Sequence, residues 1–207
     1  MNIVLLGIQG SGKGTLVQDL ENHFDFSLVS VGLLLREEIA SHSALGNKIK
    51  ELVDKGLLVD LDIVMNVINK KLATSKKPII IFDGFPRNAE QADKLDEICN
   101  IDLVIYLNLR KEIAIDRVLN RLTCKDCGDI TTLNGNEDYV CKLCGGKLYR
   151  RSDDTVDAIH TRFEQYEEET YPLLERYRHR GVLVEIDASK TSSEVLDDVM
   201  EVIKLGK

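Results

Sequence analysis

Near the start of the chain, glycines at positions 7, 10, 12 and 14 surround a lysine in the run Gly7-Ile8-Gln9-Gly10-Ser11-Gly12-Lys13-Gly14-Thr15. Glycine at that density lets the backbone turn tightly and aim its N–H groups inward. A helix opening there adds partial positive charge, and Lys13 is spaced to reach the outer phosphates of a nucleotide. The run therefore reads as a cradle for a nucleoside triphosphate. The strict P-loop pattern has Ser or Thr directly after the lysine, whereas here Gly14 intervenes and the hydroxyl comes with Thr15. Asp83 closes a second aliphatic run, Ile79-Ile80-Ile81-Phe82. An aspartate at the carboxyl end of a buried strand lies where ligands sit in open α/β sheets, and it can hold Mg²⁺ through the ion's water shell. The other role open to it is to cap a following helix. Gly84, the next residue, cannot polarise water. A phosphate acceptor is already ionised at neutral pH and needs no base, so catalysis would reduce to positioning and charge neutralisation.

Arginines suit that chemistry, because the planar guanidinium matches phosphate in a bidentate way. Arg36 follows the apolar run at 26–29 by a turn and a half of helix, and Arg87 follows Asp83 by four residues. Arg117 and Arg121 stand at i and i+4 and are expected on one helix face. Arg151 and Arg162 flank the end of a cysteine-bearing stretch. In that stretch, Cys124-Lys125-Asp126-Cys127-Gly128 and Cys141-Lys142-Leu143-Cys144-Gly145 form two CxxCG knuckles separated by thirteen residues. The spacing suits a tetrahedral four-thiolate zinc site, and iron could take the same ligands. No histidine accompanies the cysteines, so the metal reads as structural, supplying folding energy where apolar residues are few. Cys99 reads as an ordinary, partly buried thiol. The four histidines share no ligand spacing.

The elements that must position these groups follow from hydropathy. Runs at 3–6, 26–29, 79–82, 103–107 and 182–186 are aliphatic at nearly every position, as strands covered on both faces are. Helical stripes lie between them, for example Leu16, Val17, Leu20 and Phe24, or Ile113, Val118 and Leu122. Strand and helix alternating five times implies an α/β fold with a five-stranded parallel sheet in three layers. Residues 30–73 carry helical pattern without a strand. Residues 122–158 are short, polar and cysteine-rich, and both stretches read as inserts on the core.

The chain has 207 residues, 43% of them hydrophobic and 30% charged, which suits one core with small inserts and excludes a disordered chain. No apolar run approaches a membrane span and the N-terminus lacks signal-peptide features, so a cytoplasmic protein is expected. With 27 Lys and Arg against 35 Asp and Glu, the net charge of −8 argues against a nucleic-acid partner held on a broad basic face.

In order along nearly the whole chain, these residues resemble the adenylate kinases of the long-lid bacterial type with a zinc-bearing lid. The resemblance rests on Gly7 to Thr15, Ser30-Val31-Gly32-Leu33-Leu34-Leu35-Arg36, Asp83-Gly84-Phe85-Pro86-Arg87, Gln91, Arg121, the two knuckles, Arg151-Ser152-Asp153-Asp154 and Arg162. It implies reversible phosphoryl transfer from MgATP to AMP by a monomer with no nucleic-acid or membrane partner. It also implies a P-loop core (1–29, 60–121 and 159–207), a helical monophosphate-binding insert (30–59) and a zinc lid (122–158). Gly10, Ser11, Gly12, Lys13, Gly14 and Thr15 would hold the ATP phosphates. Arg117, Ile130, Thr131 and the Lys190 carbonyl would lie on the ATP side.

By the same resemblance, Val31, Leu57, Leu58, Val59 and Gln91 would meet the AMP base, and Gly84, Phe85 and Pro86 would border the monophosphate. Arg36 and Arg87 would clamp its phosphate, while Arg121, Arg151 and Arg162 would close over the transferring group. Lys13, Arg87, Arg121, Arg151 and Arg162 would be the catalytic set. Asp83 would anchor Mg²⁺ through water, and Cys124, Cys127, Cys141 and Cys144 would bind Zn²⁺. The chain departs from the family at Val31 (usually Thr), Leu33 (usually Asp), Leu57 (usually Lys) and Ile130-Thr131 (usually a hydroxyl residue plus Tyr). Related kinases of CMP and UMP carry a small apolar residue where Val31 stands, which keeps another monophosphate open as the acceptor. A nucleotide-gated zinc-ribbon binding module is the reading from a different class.

Overall fold

The computed structural model describes residues 1–132 and 139–206. Residues 133–138 of the expected lid stretch and Lys207 of the expected core stretch therefore lie outside the described residues. The chain begins with β1 (Asn2–Leu6), α1 (Lys13–Leu20) and β2 (Phe26–Ser30). Three helices follow, α2 (Val31–Ala40), α3 (Ala44–Asp54) and α4 (Leu61–Thr74), and the chain re-enters the sheet at β3 (Ile79–Asp83). Then come α5 (Ala89–Ile98), β4 (Leu103–Asn108) and α6 (Lys111–Leu119). A small antiparallel sheet of β5 (Arg121–Cys124), β6 (Ile130–Thr132) and β7 (Leu148–Tyr149) precedes α7 (Val156–Gln165). A π-turn at Tyr166–Thr170 leads to α8 (Leu173–His179), β8 (Leu183–Asp187) and α9 (Ser192–Leu205).

The main sheet has the order β2-β3-β1-β4-β8, with every pair parallel. Successive residues of a strand face opposite sides, and the core divides accordingly. Ile3, Leu5, Ile81 and Ile105 pack on one face with Leu16 and Leu20 of α1, Val118 of α6, Phe163 of α7 and Val199 of α9. Val4, Leu6, Phe82 and Val104 pack on the other with Leu35 of α2, Ile68 of α4, Leu95 of α5 and Tyr177 of α8. Both faces are covered, so the strands had to be aliphatic throughout. This is the three-layer α/β arrangement expected from the sequence. Chain direction reverses its lateral progress at β1, between β3 and β4, and the crevice above that switch point is where such sheets bind ligands.

The three-strand sheet has little apolar material of its own. Its buried cluster is Leu122, Cys124, Cys141 and Leu148, so half of it is cysteine. Here the structure corrects two expectations. Helix α6 ends at Leu119 with Asn120 as its C-cap, and Arg121 opens β5. Arg117 and Arg121 therefore do not share a helix face, and Leu122 is not on the α6 stripe. Spacing by four mimics a helical stripe even where the backbone has turned into a strand that pairs with β6 and β7.

Gly10 has φ 89°, and a Cβ there would stand 2.5 Å from the Ala114 carbonyl oxygen of α6. The loop after β1 thus lies flat against α6. Gly10→Ala is expected to lower the unfolding free energy by about 1–3 kcal/mol in a urea titration, through strain and forced displacement. Gly206→Ala, at φ −81° with no neighbour nearer than 3.6 Å, should stay within about 0.5 kcal/mol.

Candidate active site

A cavity of about 820 Å³ opens above the switch point, between the loop after β1, the α2–α4 arm and the small sheet. Its floor is the start of α1. Gly12, in the left-handed region at φ 98°, precedes that helix, and no side chain caps it. By contrast, Ser43, Asp60, Asn88, Thr155 and Thr191 cap α3, α4, α5, α7 and α9 through side-chain oxygens. An uncapped helix start facing a cavity leaves its N–H groups and dipole for an anion.

Lys13 lies across this loop. Its Nζ donates to the carbonyls of Gly7 at 2.6 Å and Ile8 at 3.1 Å. Burial lowers its pKa to about 8; Asp83 opposes the shift, and Arg87 and Arg121 add to it. Asp83, at the end of β3, accepts from the Ser30 hydroxyl at 2.9 Å, which ties the ends of β2 and β3 together. It does not cap the next helix, whose cap is Asn88. A carboxylate on the cavity wall with an oxygen left over fits a hydrated Mg²⁺.

Seven basic side chains line the cavity: Lys13, Arg36, Arg87, Arg117, Arg121, Arg151 and Arg162. They come from five different elements and two loops, and six of them are held by hydrogen bonds. Arg87 donates through Nε to the Gly84 carbonyl at 2.9 Å. Its own N–H donates to Gln91 Oε1 at 2.8 Å. Arg117 donates to the Ala188 carbonyl at 3.2 Å, and Arg151 donates through Nε to Thr123 Oγ1 at 3.1 Å. Arg121 makes a two-point contact with Asp154, at 3.0 Å from Nε and 2.5 Å from Nη2. Arg162 donates to Asp153 at 2.6 Å and to the Val53 carbonyl of α3 at 2.9 Å. With its oxygen turned toward them, Gln9 accepts from Arg162 at 3.0 Å and Arg121 at 3.2 Å.

Crowding of like charge leaves its mark on these groups. Burial lowers the pKa of Arg36, Arg87 and Arg151; Arg162 adds to the shift at Arg87 and Arg121 to that at Arg151, which falls to about 10. All remain charged at neutral pH. Burial pushes Asp153 up, but the Arg162 contact outweighs it and holds the carboxyl below its ordinary value.

Most residues expected at the site do line this one cavity: Gly10 to Thr15, Val31, Leu57 to Val59, Asp83, Gly84, Pro86, Gln91, Ile130, Thr131 and the arginines. Two stand apart. Phe85 is wholly buried in the core beneath the wall. Lys190, whose carbonyl is the expected contact, lies outside this lining; its side chain pairs with Asp198 at 2.5 Å on the surface, and Ser192 and Val195 at the start of α9 line the cavity. Gln9, Asp153 and Asp154 received no role from sequence, although they hold Arg121 and Arg162. The available signal is the pair of acids within three residues of Arg151 and the amide side chain of Gln9 amid the glycines. The small sheet covers the loop: a Cβ on Gly14 would stand 2.8 Å from Ile130 Cδ1, and Gln18 donates to the Gly128 carbonyl at 3.1 Å.

At the knuckles of that sheet, the sulfurs of Cys124, Cys127, Cys141 and Cys144 lie within 4.8 Å of one another. Cys124 and Cys144 are 3.5 Å apart, and Cys127 and Cys141 are 3.7 Å apart. A tetrahedron with Zn–S bonds of about 2.3 Å has edges of roughly 3.8 Å, so the cluster fits that metal. The Asp126 and Gly146 N–H groups each approach a cysteine sulfur at 3.4 Å, as they would stabilise thiolates.

The lowered Lys13 pKa has a pH consequence. Unfolded lysine titrates near 10.4, so between about pH 8 and 10.4 the unfolded ligand-free chain binds more protons and stability rises with pH. Below pH 8 that contribution is gone. Lys13→Met should flatten this rise by roughly 1–3 kcal/mol in the difference between wild-type and variant unfolding curves.

Comparison with known proteins accords with this geometry. The adenylate kinase family model matches residues 5–182. The adenylate kinase of Caldanaerobacter subterraneus subsp. tengcongensis is 36% identical over 212 residues, covering 98% of this chain and 96% of that protein. The one from Thermosipho melanesiensis is 35% identical, covering 99% of this chain and all of that protein. The one from Archaeoglobus fulgidus is 34% identical, covering 99% and 98% respectively. The chain belongs to the adenylate kinase family.

Proposed function

We propose that the arginine-lined cavity is where this enzyme carries out the family's reaction, the reversible transfer of the terminal phosphoryl group of MgATP to AMP to give two ADP. The observation that carries the reading is the convergence of seven basic side chains on the uncapped start of α1. In this reading the N–H groups of residues 10–15 and Lys13 hold the ATP phosphates, and Arg117 lies along the adenine. Lys13 must leave the Gly7 and Ile8 carbonyls when the triphosphate enters. Arg36 and Arg87 clamp the AMP phosphate, whose oxygen attacks the terminal phosphorus while the bond to the bridging oxygen breaks and its electrons stay on ADP. Arg121, Arg151 and Arg162 neutralise the charge that spreads over the equatorial oxygens. Asp83 would hold Mg²⁺ through the ion's water shell, and the ion would supply further charge neutralisation on the phosphates.

The AMP base fits a wall of Val31, Leu57, Leu58 and Val59. Gln91 has its oxygen engaged with the Arg87 N–H, which leaves its Nε2 amide for the base. Residues 1–29, 60–121 and 159–207 then act as the core, 30–59 as the acceptor arm and 122–158 as the lid. The contacts of Ile130 and Gly128 with α1 suit a lid that closes over the triphosphate and excludes water, so that AMP rather than water accepts the phosphoryl group. Zn²⁺ on Cys124, Cys127, Cys141 and Cys144 would clip the lid together. No helix among the described residues is long and apolar enough to cross a membrane. In this reading the protein acts on ATP and AMP as a cytoplasmic monomer, and its acidic net charge offers no broad basic face to nucleic acid.

A coupled assay with MgATP and each nucleoside monophosphate tests the reaction; no ADP from AMP at millimolar concentration overturns it. Arg87→Ala should lower kcat by about two orders of magnitude or more, since a contact with transition-state charge is lost. Near-normal turnover would remove Arg87 from the mechanism. Cys141→Ser should reduce bound zinc and lower the melting temperature of the lid while the core stays folded. Unchanged metal stoichiometry would exclude the four-sulfur site.

A further inference from the structure

Arg87 is gripped at three points of its own covalent frame. Its N–H donates to Gln91 and its Nε to the Gly84 carbonyl, as described above. The third grip comes from far along the chain: the Thr170 hydroxyl donates to the Arg87 carbonyl at 2.6 Å. No described residue accepts from the two Nη groups, which are left for the cavity. Thr170 is buried and itself lines the cavity.

The way Thr170 arrives there is unusual. It ends the five-residue π-turn between α7 and α8, where the Tyr171 N–H reaches back five residues to the Tyr166 carbonyl at 2.8 Å. Such wide turns are rare and concentrate at functional sites. A threonine in a helix ordinarily returns its hydroxyl to the carbonyl four residues back. Thr161, in α7 of the same segment, does so with Asp157 at 3.0 Å. Thr170 instead sends its hydroxyl across 83 residues of sequence to the loop that carries Arg87. The neighbouring Glu169 also accepts from Asn88 at 3.1 Å, so the turn holds two successive residues of that loop. Pro172, which has no N–H to donate, follows where the helical ladder is interrupted.

We propose that Thr170 is a positioning residue for phosphoryl transfer: delivered by the π-turn, its hydroxyl fixes the Arg87 carbonyl and so aims the Arg87 guanidinium at the acceptor phosphate. This rests on the role given to Arg87 above. Small errors in aim are costly to a group that must meet charge developing in one direction. The same contact links α7 and α8, and through Arg162 the acidic pair Asp153 and Asp154, to the acceptor side of the cavity.

The test compares Thr170→Val, Thr170→Ser, Arg87→Ala and the double variant Arg87→Ala/Thr170→Val. The readouts are kcat and KM for each substrate and the melting temperature. Thr170→Val should lower kcat/KM for AMP on the order of tenfold while KM for ATP and the melting temperature change little. Thr170→Ser should recover most of the loss, and the valine change should add nothing once Arg87 is alanine. Wild-type kinetics for Thr170→Val would overturn the proposal. So would equal losses for both substrates with a lowered melting temperature and no rescue by serine, the pattern of a purely structural residue. A crippled Arg87→Ala beside an unaffected Thr170→Val sinks only the positioning role. A near-normal Arg87→Ala sinks the underlying reading of the site.

Discussion

Concentrating positive charge in a partly dry cavity is the constraint that organises this molecule. Guanidinium groups repel one another and lose hydration when brought together, and the depressed pKa values of Arg87, Arg151 and Lys13 record that opposition. The chain meets it in two ways. Asp153 and Asp154 neutralise Arg162 and Arg121 directly. Main-chain carbonyls of Gly84, Ala188 and Val53 hold Arg87, Arg117 and Arg162 without adding a full negative charge. The cavity therefore keeps a surplus of positive charge while each group stays aimed. Polyphosphate is the ligand that resolves the remaining repulsion.

The sheet makes that concentration possible. Parallel strands buried on both faces deliver several loops to one edge, and the reversal at β1 opens a crevice among them. The loop after β1 supplies main-chain N–H groups, β3 supplies Asp83, and the segment after β3 supplies Arg87. The two inserts, α6, α7, the π-turn and the start of α9 supply other parts of the cavity wall. Helices α2 and α3 share the apolar packing of the core through Leu35 and Ile49. The small sheet has a buried cluster of its own and meets α1 through specific contacts such as Gln18 to Gly128. An element joined through such contacts can separate and return at modest cost, as a site that must admit two nucleotides and then exclude water requires.

The lid illustrates a different economy. A three-strand sheet whose apolar cluster among the described residues holds four side chains, two of them cysteine, has too small an apolar core to order itself strongly. Four sulfurs at near-tetrahedral spacing offer the missing constraint. The first knuckle reaches the cavity wall through Cys127 and Gly128, beside Ile130 and Thr131, so metal ligation and nucleotide contact are close neighbours in this small sheet.

The composition of the five strands, the glycine spacing around Lys13 and the paired CxxCG knuckles were legible in the sequence because each is a local pattern with a local cause. Strand periodicity, loop curvature and thiolate spacing need only neighbours along the chain. The arginines were legible as a set, but their partners were not. That Asp154 takes Arg121 and that Thr170 reaches the Arg87 carbonyl depend on chain segments far apart in sequence. Local pattern failed where two structures share one spacing: Leu122 and Arg121 fit a helical stripe and face, yet strand pairing with β6 and β7 claimed them. Phe85 went to the core because packing beneath the cavity wall, which no local pattern encodes, encloses it. Sequence alone determined which chemistry the chain carries and the sheet that bears it. Tertiary structure alone decided which polar atom holds which guanidinium, because those contacts are set by directions and distances that only packing across the sheet and between inserts defines.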